Sequence, residues 1–370
     1  MKTVVFIRQT AIYYDSRALK TIQTLSQQYK VLVLGWDRDG KGKSKLQEKS
    51  FQNVEFFLFD KKLPHGSGKK GLFLMIQFFR WTKKKLAEFR NVDFVHCCDL
   101  DGTIGVFHYL NKHHIPLIYD IYDYYTEAHT GIPNLLKNLI QAYENKIIEK
   151  AEVTIICTEQ RKQQIKNAKP KKVIVVHNTP EMDENLSRIK ESHSKYKLCF
   201  IGALADHRLL CEIAETIDNY PEFEITFGGN GELLEHLTEL ASKNEQIKYI
   251  GTLDYSKVLE YEASCDLLFA TYSPAIPNHR YCAPNKIYEA MALQKPIIVC
   301  KGTGIDELIT QEEIGEVINY SADDFFIAAR KLLSDKERLV KIEDKCRRIY
   351  VEKYSWKIMS ERLLKMYDEI

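Results

Sequence analysis

The sequence predicts an α/β protein of two successive domains, each built on a parallel β-sheet covered by helices. Three observations carry this. Short β-branched and aromatic runs alternate with segments of helical periodicity, the pattern of strands buried on both faces by crossover helices. The alternation breaks once, at residues 181–196 (EMDENLSRIKESHSKY), a polar and charged stretch that reads as a linker, and then restarts. The 370 residues, 45% of them hydrophobic, exceed one ordinary domain and suffice for two cores.

Each element has its own justification. Residues 3–7 (TVVFI) are a β-branched run and read as a buried strand. Residues 16–29 set Ala18, Leu19, Ile22 and Leu25 at helical spacing. Residues 31–34 form the next strand, closed by Gly35. Strands follow at 54–59, at 92–96 leading into CCDLDG, and at 116–119. Residues 135–149 read as a helix, 153–157 as a strand, and 173–176 as a strand running into the turn His177-Asn178-Thr179-Pro180. Beyond the linker, strands are predicted at 197–201 (ending at Gly202), 223–227 (ending in Gly228-Gly229-Asn230-Gly231), 247–250, 267–270, 296–299 and 315–318. Helices are predicted at 209–219, 232–242, 255–263, 287–292, 322–333 and 335–350, with a last one from Trp356. No short-period repeat or low-complexity tract interrupts this order.

Composition narrows the class of protein. Lys plus Arg is 53 and Asp plus Glu 51, a formal net charge of +2, which argues against a nucleic-acid binder. The nine cysteines are odd in number, show no C-x-x-C spacing and sit mostly in apolar runs. They read as buried free thiols in a reducing compartment rather than disulfides or zinc ligands. The N-terminal MKTVVFIRQT lacks the apolar run of a signal peptide, and no stretch has the length of a membrane span. These features place the protein in the cytoplasm, soluble or peripheral on the inner face of a membrane. One segment supports the peripheral reading: Lys61-Lys62, Lys69-Lys70 and Arg80-Trp81-Thr82-Lys83-Lys84-Lys85 surround LFLMIQFF at 72–79. Basic, aromatic and aliphatic residues together suit contact with anionic lipid through residues 61–85; the competing reading is a core helix with lysines outside.

In sheets of this kind ligands bind at the carboxyl ends of the strands, so the loops there, and a cleft between the two domains, are the expected site. The densest candidate is the run from Arg280 to Val299 (RYCAPNKIYEAMALQKPIIV), which reads as loop, helix, strand. Pro284-Asn285 opens the helix, whose free N–H groups favour an anion, and Glu289 lies one turn in, suited to paired sugar hydroxyls. An ordinary capped helix with a solvated Glu is the bland alternative. Gly229-x-Gly231 lacks the third glycine of a dinucleotide fingerprint, and His113-His114 reads as a solvated helix end.

Pro284-Asn285-Lys286-Ile-Tyr-Glu289-Ala-Met-Ala, followed by Lys295-Pro296-Ile-Ile-Val, resembles the nucleotide-sugar segment of retaining GT-B glycosyltransferases, family four (group 1 type). Other motifs fall in the order of that family: Asp93-Phe94-Val95-His96, Ile118-Tyr119-Asp120, Asn178, Phe200-Ile201-Gly202, Gly229-Asn230-Gly231-Glu232, Gly304-Ile305-Asp306-Glu307 and Tyr354-Ser355-Trp356. The resemblance implies a GT-B fold: two Rossmann-like parallel-sheet domains facing across a cleft. It implies an acceptor-side domain at 1–182, a nucleotide-sugar domain at 190–353, and a last helix, 355–370, packed back on the first domain. It also implies donor binding by Gly202, Arg208, Gly229, Pro284, Asn285, Lys286, Glu289 and Glu307, with Glu289 on the ribose and Arg208 on the pyrophosphate. Arg suits that role as a fixed fork of donors.

The sequence also departs from the family. Tyr281 replaces the first Glu of its E-x7-E pattern, Ala203 replaces an Arg, and Arg8-Gln9-Thr10-Ala11 stands where a glycine-rich loop is usual. The family's His after the V-Y-D strand is Tyr122, flanked by Asp120 and Asp123, which makes these three the catalytic candidates. The implied activity is that of a hexosyltransferase. It moves a sugar from a UDP- or GDP-linked donor to a hydroxyl acceptor, a lipid-linked glycan or polysaccharide precursor, with retention. Arg208, Lys286 and helix amides would neutralise the leaving diphosphate without a metal or other cofactor, and Glu307 and Asp120 would contact sugar or acceptor hydroxyls. A nucleotide-sugar epimerase, or a non-catalytic partner subunit, are the alternatives.

Overall fold

A computed structural model describes residues 1–63, 68–129, 131–182, 186 and 194–370. The chain divides into two compact units, residues 1–177 with 360–370, and residues 178–359. The first holds a seven-stranded sheet: β1 (Thr3–Ile7), β2 (Lys30–Asp37), β3 (Val54–Asp60), β4 (Phe94–Cys98), β5 (Leu117–Ile121), β6 (Val153–Ile156) and β7 (Val173–Val175). Its order is β3-β2-β1-β4-β5-β6-β7, and every pairing is parallel. The second holds β8 (Tyr196–Ala203), β9 (Phe223–Asn230), β10 (Ile247–Tyr249), β11 (Leu267–Ala270), β12 (Ile297–Cys300) and β13 (Gly315–Ile318). Their order is β10-β9-β8-β11-β12-β13, again all parallel.

Both sheets are doubly wound, and in each the direction of winding reverses once, between β1 and β4 and between β8 and β11. At such a point neighbouring loops diverge and leave a crevice at the carboxyl edge. The loops that do so carry Arg8 and Asp99 in the first unit and Arg208 and Tyr272 in the second.

The strands are apolar throughout because both faces are covered. Val4 to Ile7 are fully buried, as are Leu198, Cys199, Phe269 and Ile297 to Cys300. On one face of the first sheet the helices Gly68–Glu88, Phe107–His113 and Asn134–Lys150 send Leu74, Phe78, Leu110, Ile147 and Ile148 into one core with Val5, Ile7, Val95, Tyr119 and Ile121. On the other face lie Phe94 and His96, against which Tyr367 of the last helix (Trp356–Asp368) packs, ring centroids 5.4 and 6.4 Å away. Residues 360–370 thus belong to the first unit, and the opening of that helix to the second.

Several boundaries differ from expectation. Gly35 does not close its strand: β2 continues to Asp37, with Gly35 paired to Leu58. The strand expected at 92–96 starts two residues later, so Cys97 and Cys98 belong to it. Short helices at Gly42–Gln47, Asp99–Thr103 and Phe107–His113 have too little apolar periodicity to announce themselves. Within the linker at 181–196, residues 183–185 and 187–193 lie outside the described residues, as do 64–67 and the side chains of Lys69 and Lys70 in the basic segment. Met182 and Leu186 are half-buried against the core of the second unit. All nine cysteines are free, seven of them buried. No helix among the described residues is long and apolar enough to cross a membrane.

Candidate active site

In the second unit three strand-end loops present the expected donor-binding residues. The first follows β8. His207 (φ 62°) and Leu209 (φ 60°) both adopt the left-handed conformation, a costly one for a leucine, and flank Arg208. Neighbours over-determine the turn. The Thr271 hydroxyl donates to the Arg208 carbonyl (2.6 Å), the Leu209 N–H donates to Tyr320 Oη (2.9 Å) and the Ser273 N–H donates to the His207 carbonyl (2.8 Å). The half-buried Arg208 guanidinium lies 4.6 Å from the Tyr272 ring centroid. A cation held by stacking rather than by a carboxylate keeps its hydrogen-bonding edge for an anion.

The second loop is the glycine turn after β9. Gly229 faces Gly202 across the β8–β9 ladder with φ 118°, and a Cβ there would sit 1.8 Å from the Gly202 carbonyl oxygen. Gly202 has room, its nearest neighbours lying at 3.7 Å. Where the ends of β8 and β9 meet, the requirement for glycine therefore belongs to Gly229 of β9 rather than to Gly202 of β8.

The third loop opens the Asn285–Leu293 helix, with Pro284 in the extended conformation before it and no side-chain cap on its N–H groups. Asn178 Nδ2 donates to Asn285 Oδ1 (2.6 Å), and Glu289, 2% exposed, accepts from the Tyr255 hydroxyl (3.0 Å). Lys286 does not do what was expected of it. It points inward, donates to the Ile201 carbonyl and pairs with Glu262 (3.1 Å), with only 8% of its side chain exposed. One position past Asn285 the helix turns its side chain towards β8, so Lys286 locks the helix to that strand instead of facing a diphosphate. Glu262 is the residue sequence reasoning missed. Burial, with repulsion from Glu289 second, pushes its carboxyl up to about 8, against the pull of Lys286. An acidic residue inside an otherwise ordinary amphipathic helix was its only signal. Glu307 lies in the exposed first turn of the Ile305–Glu312 helix rather than in a loop. Gly304 (φ 75°) makes that turn possible, since a Cβ there would meet the Arg280 carbonyl at 2.4 Å.

In the first unit the catalytic candidates gather at the carboxyl edge of the sheet. Asp120, 1% exposed, accepts from Arg17 (2.6 Å) through one oxygen and faces His96 Nε2 (3.4 Å) with the other. It is occupied within the domain, not open to a sugar hydroxyl as expected. His96, Cys98 and Asp120 bring their ligand-type atoms within 4.8 Å, and that group is already consumed by Arg17 and by Tyr367, whose hydroxyl meets His96 Nδ1 at 2.9 Å. Tyr122 is sandwiched between Arg8 and Arg17, whose guanidinium carbons lie 4.2 and 4.1 Å from its ring centroid. Burial holds its phenol well above the usual range, so it stays protonated, and its hydroxyl is buried without a partner. The backbone N–H groups of Tyr122 and Asp123 both donate to Asp99 (2.7 and 3.1 Å), which also pairs with Arg8. Burial first, opposed by Arg8, leaves the Asp99 carboxyl raised to about 6. Asp123, 56% exposed on its side chain and 3.2 Å from Arg161, is the carboxylate of the three that meets solvent. Among these residues, the roles of Asp99 and Arg161 were not visible in the sequence. Their partners lie 24 and 38 positions away along the chain.

The similarity of this chain to known proteins bears on both halves. Residues 19–182 match the family model described as Glycosyltransferase Family 4, and residues 195–335 that described as Glycosyl transferases group 1. No curated protein matches in sequence. Among solved structures, sucrose-phosphate synthase from Thermosynechococcus elongatus superposes with a TM-score of 0.78 at 11% identity, over 100% of this chain and 99% of its own. Anabaena HepE in complex with UDP-glucose gives 0.74 at 15% identity, over the whole of both chains. WaaG, a glycosyltransferase involved in lipopolysaccharide biosynthesis, gives 0.68 at 14% identity, over 97% of this chain and 98% of its own. At such identities the structural likeness speaks for the fold, and the two family models speak for the lineage. The chain is a group 1, family 4 glycosyltransferase of GT-B fold, with two parallel-sheet domains.

Proposed function

We propose that the protein transfers a hexose from a UDP-linked donor to a hydroxyl of a lipid-linked glycan or polysaccharide precursor, with retention of configuration. The observation that carries the donor half is the geometry around Arg208. It is a cation without a carboxylate partner among its described contacts, held on a doubly strained turn at the point where the second sheet reverses its winding. HepE, of the same fold, is described with UDP and with UDP-glucose, which favours UDP over GDP.

In this reading Arg208 and the uncapped N–H groups of Asn285 and Lys286 take up the charge of the leaving diphosphate, while Glu289, oriented by Tyr255, grips the ribose. Lys286 and Glu262 are positioning residues that hold the Asn285–Leu293 helix against β8. The transfer follows a same-face path. The C1–O bond to the diphosphate breaks as the acceptor oxygen bonds to C1, and the departing diphosphate oxygen receives the acceptor proton. The protein supplies placement and charge stabilisation. In the first unit Asp123 is the carboxylate exposed to an acceptor, and Asp120, Tyr122, Arg8 and Arg17 form the framework beneath it.

The test is UDP binding by calorimetry. Arg208→Ala and Glu289→Ala should each weaken UDP by about tenfold or more, the loss expected for one charge-assisted contact. Wild-type affinity in both variants would refute the donor assignment. Release of free sugar or an epimer without an acceptor would point to an epimerase instead.

A further inference from the structure

Arg161, in the loop after β6 of the first unit, carries a hydrogen-bonding edge that its surroundings leave half used. It is 2% exposed, a depth at which an arginine is ordinarily satisfied. Nη1 donates to Gln164 Oε1 (3.1 Å) and Nη2 to Asp123 Oδ1 (3.2 Å). Nε is buried with no partner among the described residues. Nε and Nη2 form the side of a guanidinium that takes two oxygens of one oxyanion in parallel. Asp123 meets this fork through one prong only, at a distance long for a charged pair, and its side chain is 56% exposed.

The groups around the fork add donors. Thr158, in the same loop and 7% exposed, has a buried hydroxyl without a partner. The Arg161 N–H donates to the Thr158 carbonyl (3.2 Å), so the two residues sit one turn apart. Arg17, 3% exposed, spends Nη2 on Asp120 (2.6 Å), and its Nε is likewise buried and unpartnered. The Arg17 and Arg161 charges repel each other. After β7, burial first and then Arg362 and Arg17 push the His177 imidazole down to about 3, so it stays neutral in a positive field. Arg362 donates to the Val175 carbonyl (2.5 Å). The acids of these loops are already engaged: Asp120 with Arg17, Asp123 with Arg161, Glu127 with Gln164 (2.7 Å) and Glu159 with Lys162 (2.5 Å).

The topology brings these residues together. β5, β6 and β7 are consecutive in the sheet, so the loops bearing Asp123, Thr158 with Arg161, and His177 adjoin at its carboxyl edge. Two guanidinium Nε–H groups and a hydroxyl, buried and unsatisfied, are costly to keep. A water molecule offers one oxygen, whereas the fork closes on two oxygens of a single group, a phosphate or a carboxylate. Asp123, itself a carboxylate, half-fills that place and, being exposed, has room to leave it.

We propose that the Nε–Nη2 edge of Arg161, with the Thr158 hydroxyl, binds an oxyanion of the acceptor, a phosphate or a carboxylate, which displaces Asp123. The acceptor is then an acidic glycan, not a neutral one. Released from Arg161, the Asp123 carboxylate accepts a hydrogen bond from an acceptor hydroxyl, so recognition of the anion and placement of the hydroxyl are one event. Arg17 stays with Asp120 and contributes its charge. This deepens the reading of a glycan acceptor and rests on it for the purpose of the site, since anion binding itself needs neither donor nor transfer.

The test is calorimetry of the full chain with inorganic phosphate and, separately, with glucuronate. Every protein in this series carries Arg208→Ala, so that the donor loop does not take the anion. At least one of the two anions should bind. Arg161→Gln should weaken it by about tenfold or more, Arg161→Lys, which keeps the charge but loses the fork, by about as much, and Thr158→Val by about threefold. Asp123→Asn removes the competing carboxylate and should tighten binding by about threefold or more, a gain that damage to the fold does not produce. Phosphate binding alone assigns a phosphorylated acceptor and glucuronate binding alone a uronate-containing one, and either supports the site. Failure of both anions to bind, in Asp123→Asn as well, would overturn the proposal, as would undiminished binding in Arg161→Gln. UDP calorimetry reads the donor assignment separately: with Arg208 intact, Arg161→Gln should keep wild-type UDP affinity, which also shows that the variant folds.

Discussion

Gly229 and Gly202 face each other across the β8–β9 ladder, and the structure predicts opposite fates for them. In Gly229→Ala the new methyl would lie 1.8 Å from the Gly202 carbonyl oxygen, an atom of the neighbouring strand that cannot rotate away. Ordinary carbon–oxygen contact requires more than 3 Å, so the strand ends must part by over an ångström, at a residue already at φ 118°. A left-handed non-glycine residue costs about 1–3 kcal/mol and overpacking a further 1–3 kcal/mol, giving about 2–6 kcal/mol in all. In Gly202→Ala the nearest atoms are the Phe200 ring at 3.7 Å and Lys286 Nζ at 3.9 Å, ordinary contacts, and the cost should stay under about 1 kcal/mol. Urea unfolding followed by circular dichroism measures both, with UDP calorimetry beside it, since the loops after both strands are assigned to the donor. A Gly229→Ala variant within about 1 kcal/mol of wild type would refute the close approach of the two strand ends, and with it the geometry assigned to the donor loops.

Glu262→Gln should change the pH dependence of stability. The Glu262 carboxyl is raised to about 8 in the fold, so its contribution is fully present below the unfolded value near 4.5 and is lost as pH rises through about 8. The variant should match wild type near pH 4 and melt progressively higher as pH rises from about 4.5 to about 8, and equal melting shifts at pH 4 and pH 9 would remove the buried acid from the account. Glu144 provides a second instance. Its carboxyl is raised to about 8 mainly by burial and accepts from the Tyr119 hydroxyl (2.7 Å), so Glu144→Gln should likewise gain stability progressively as pH rises from about 4.5 to about 8 in thermal melts. Arg17→Met strands the buried Asp120 carboxylate and should cost about 3–5 kcal/mol in urea unfolding, whereas Arg17→Met with Asp120→Asn should recover most of it. No recovery in the double variant would show that Arg17 acts through packing on Tyr122 instead.

The strand and helix order was legible because strands buried on both faces leave continuous apolar runs, as in TVVFI and PIIVC, and covering helices leave an apolar stripe, as at Leu237 and Leu240. What escaped was short or polar. The helices Gly42–Gln47 and Asp99–Thr103 are too brief for periodicity, and Gly35 reads as punctuation although it lies inside β2. At the candidate site, the family resemblance pointed to Arg208, Gly229 and Glu289, but which glycine is sterically required was not legible, since Gly202 and Gly229 look alike until their strands pair. The hydrophobic segment 72–79 and the helix 135–149 divide differently in the structure: Phe78 and Ile147 are buried, while Phe73 and Leu135 are not. Periodicity alone shows a stripe but not its depth.

Apolar patterning alone settled two parallel-sheet domains, and the loop motifs carried the resemblance to group 1, family 4 glycosyltransferases, because both are local properties of a chain. Tertiary structure decided the charge pairings. Asp120 is spent on Arg17, Lys286 on Glu262 and Asp99 on Arg8, leaving Arg208 and Asp123 as the groups that face outward. A side chain's availability depends on what the fold packs against it, and those partners come from strands and helices far away in sequence.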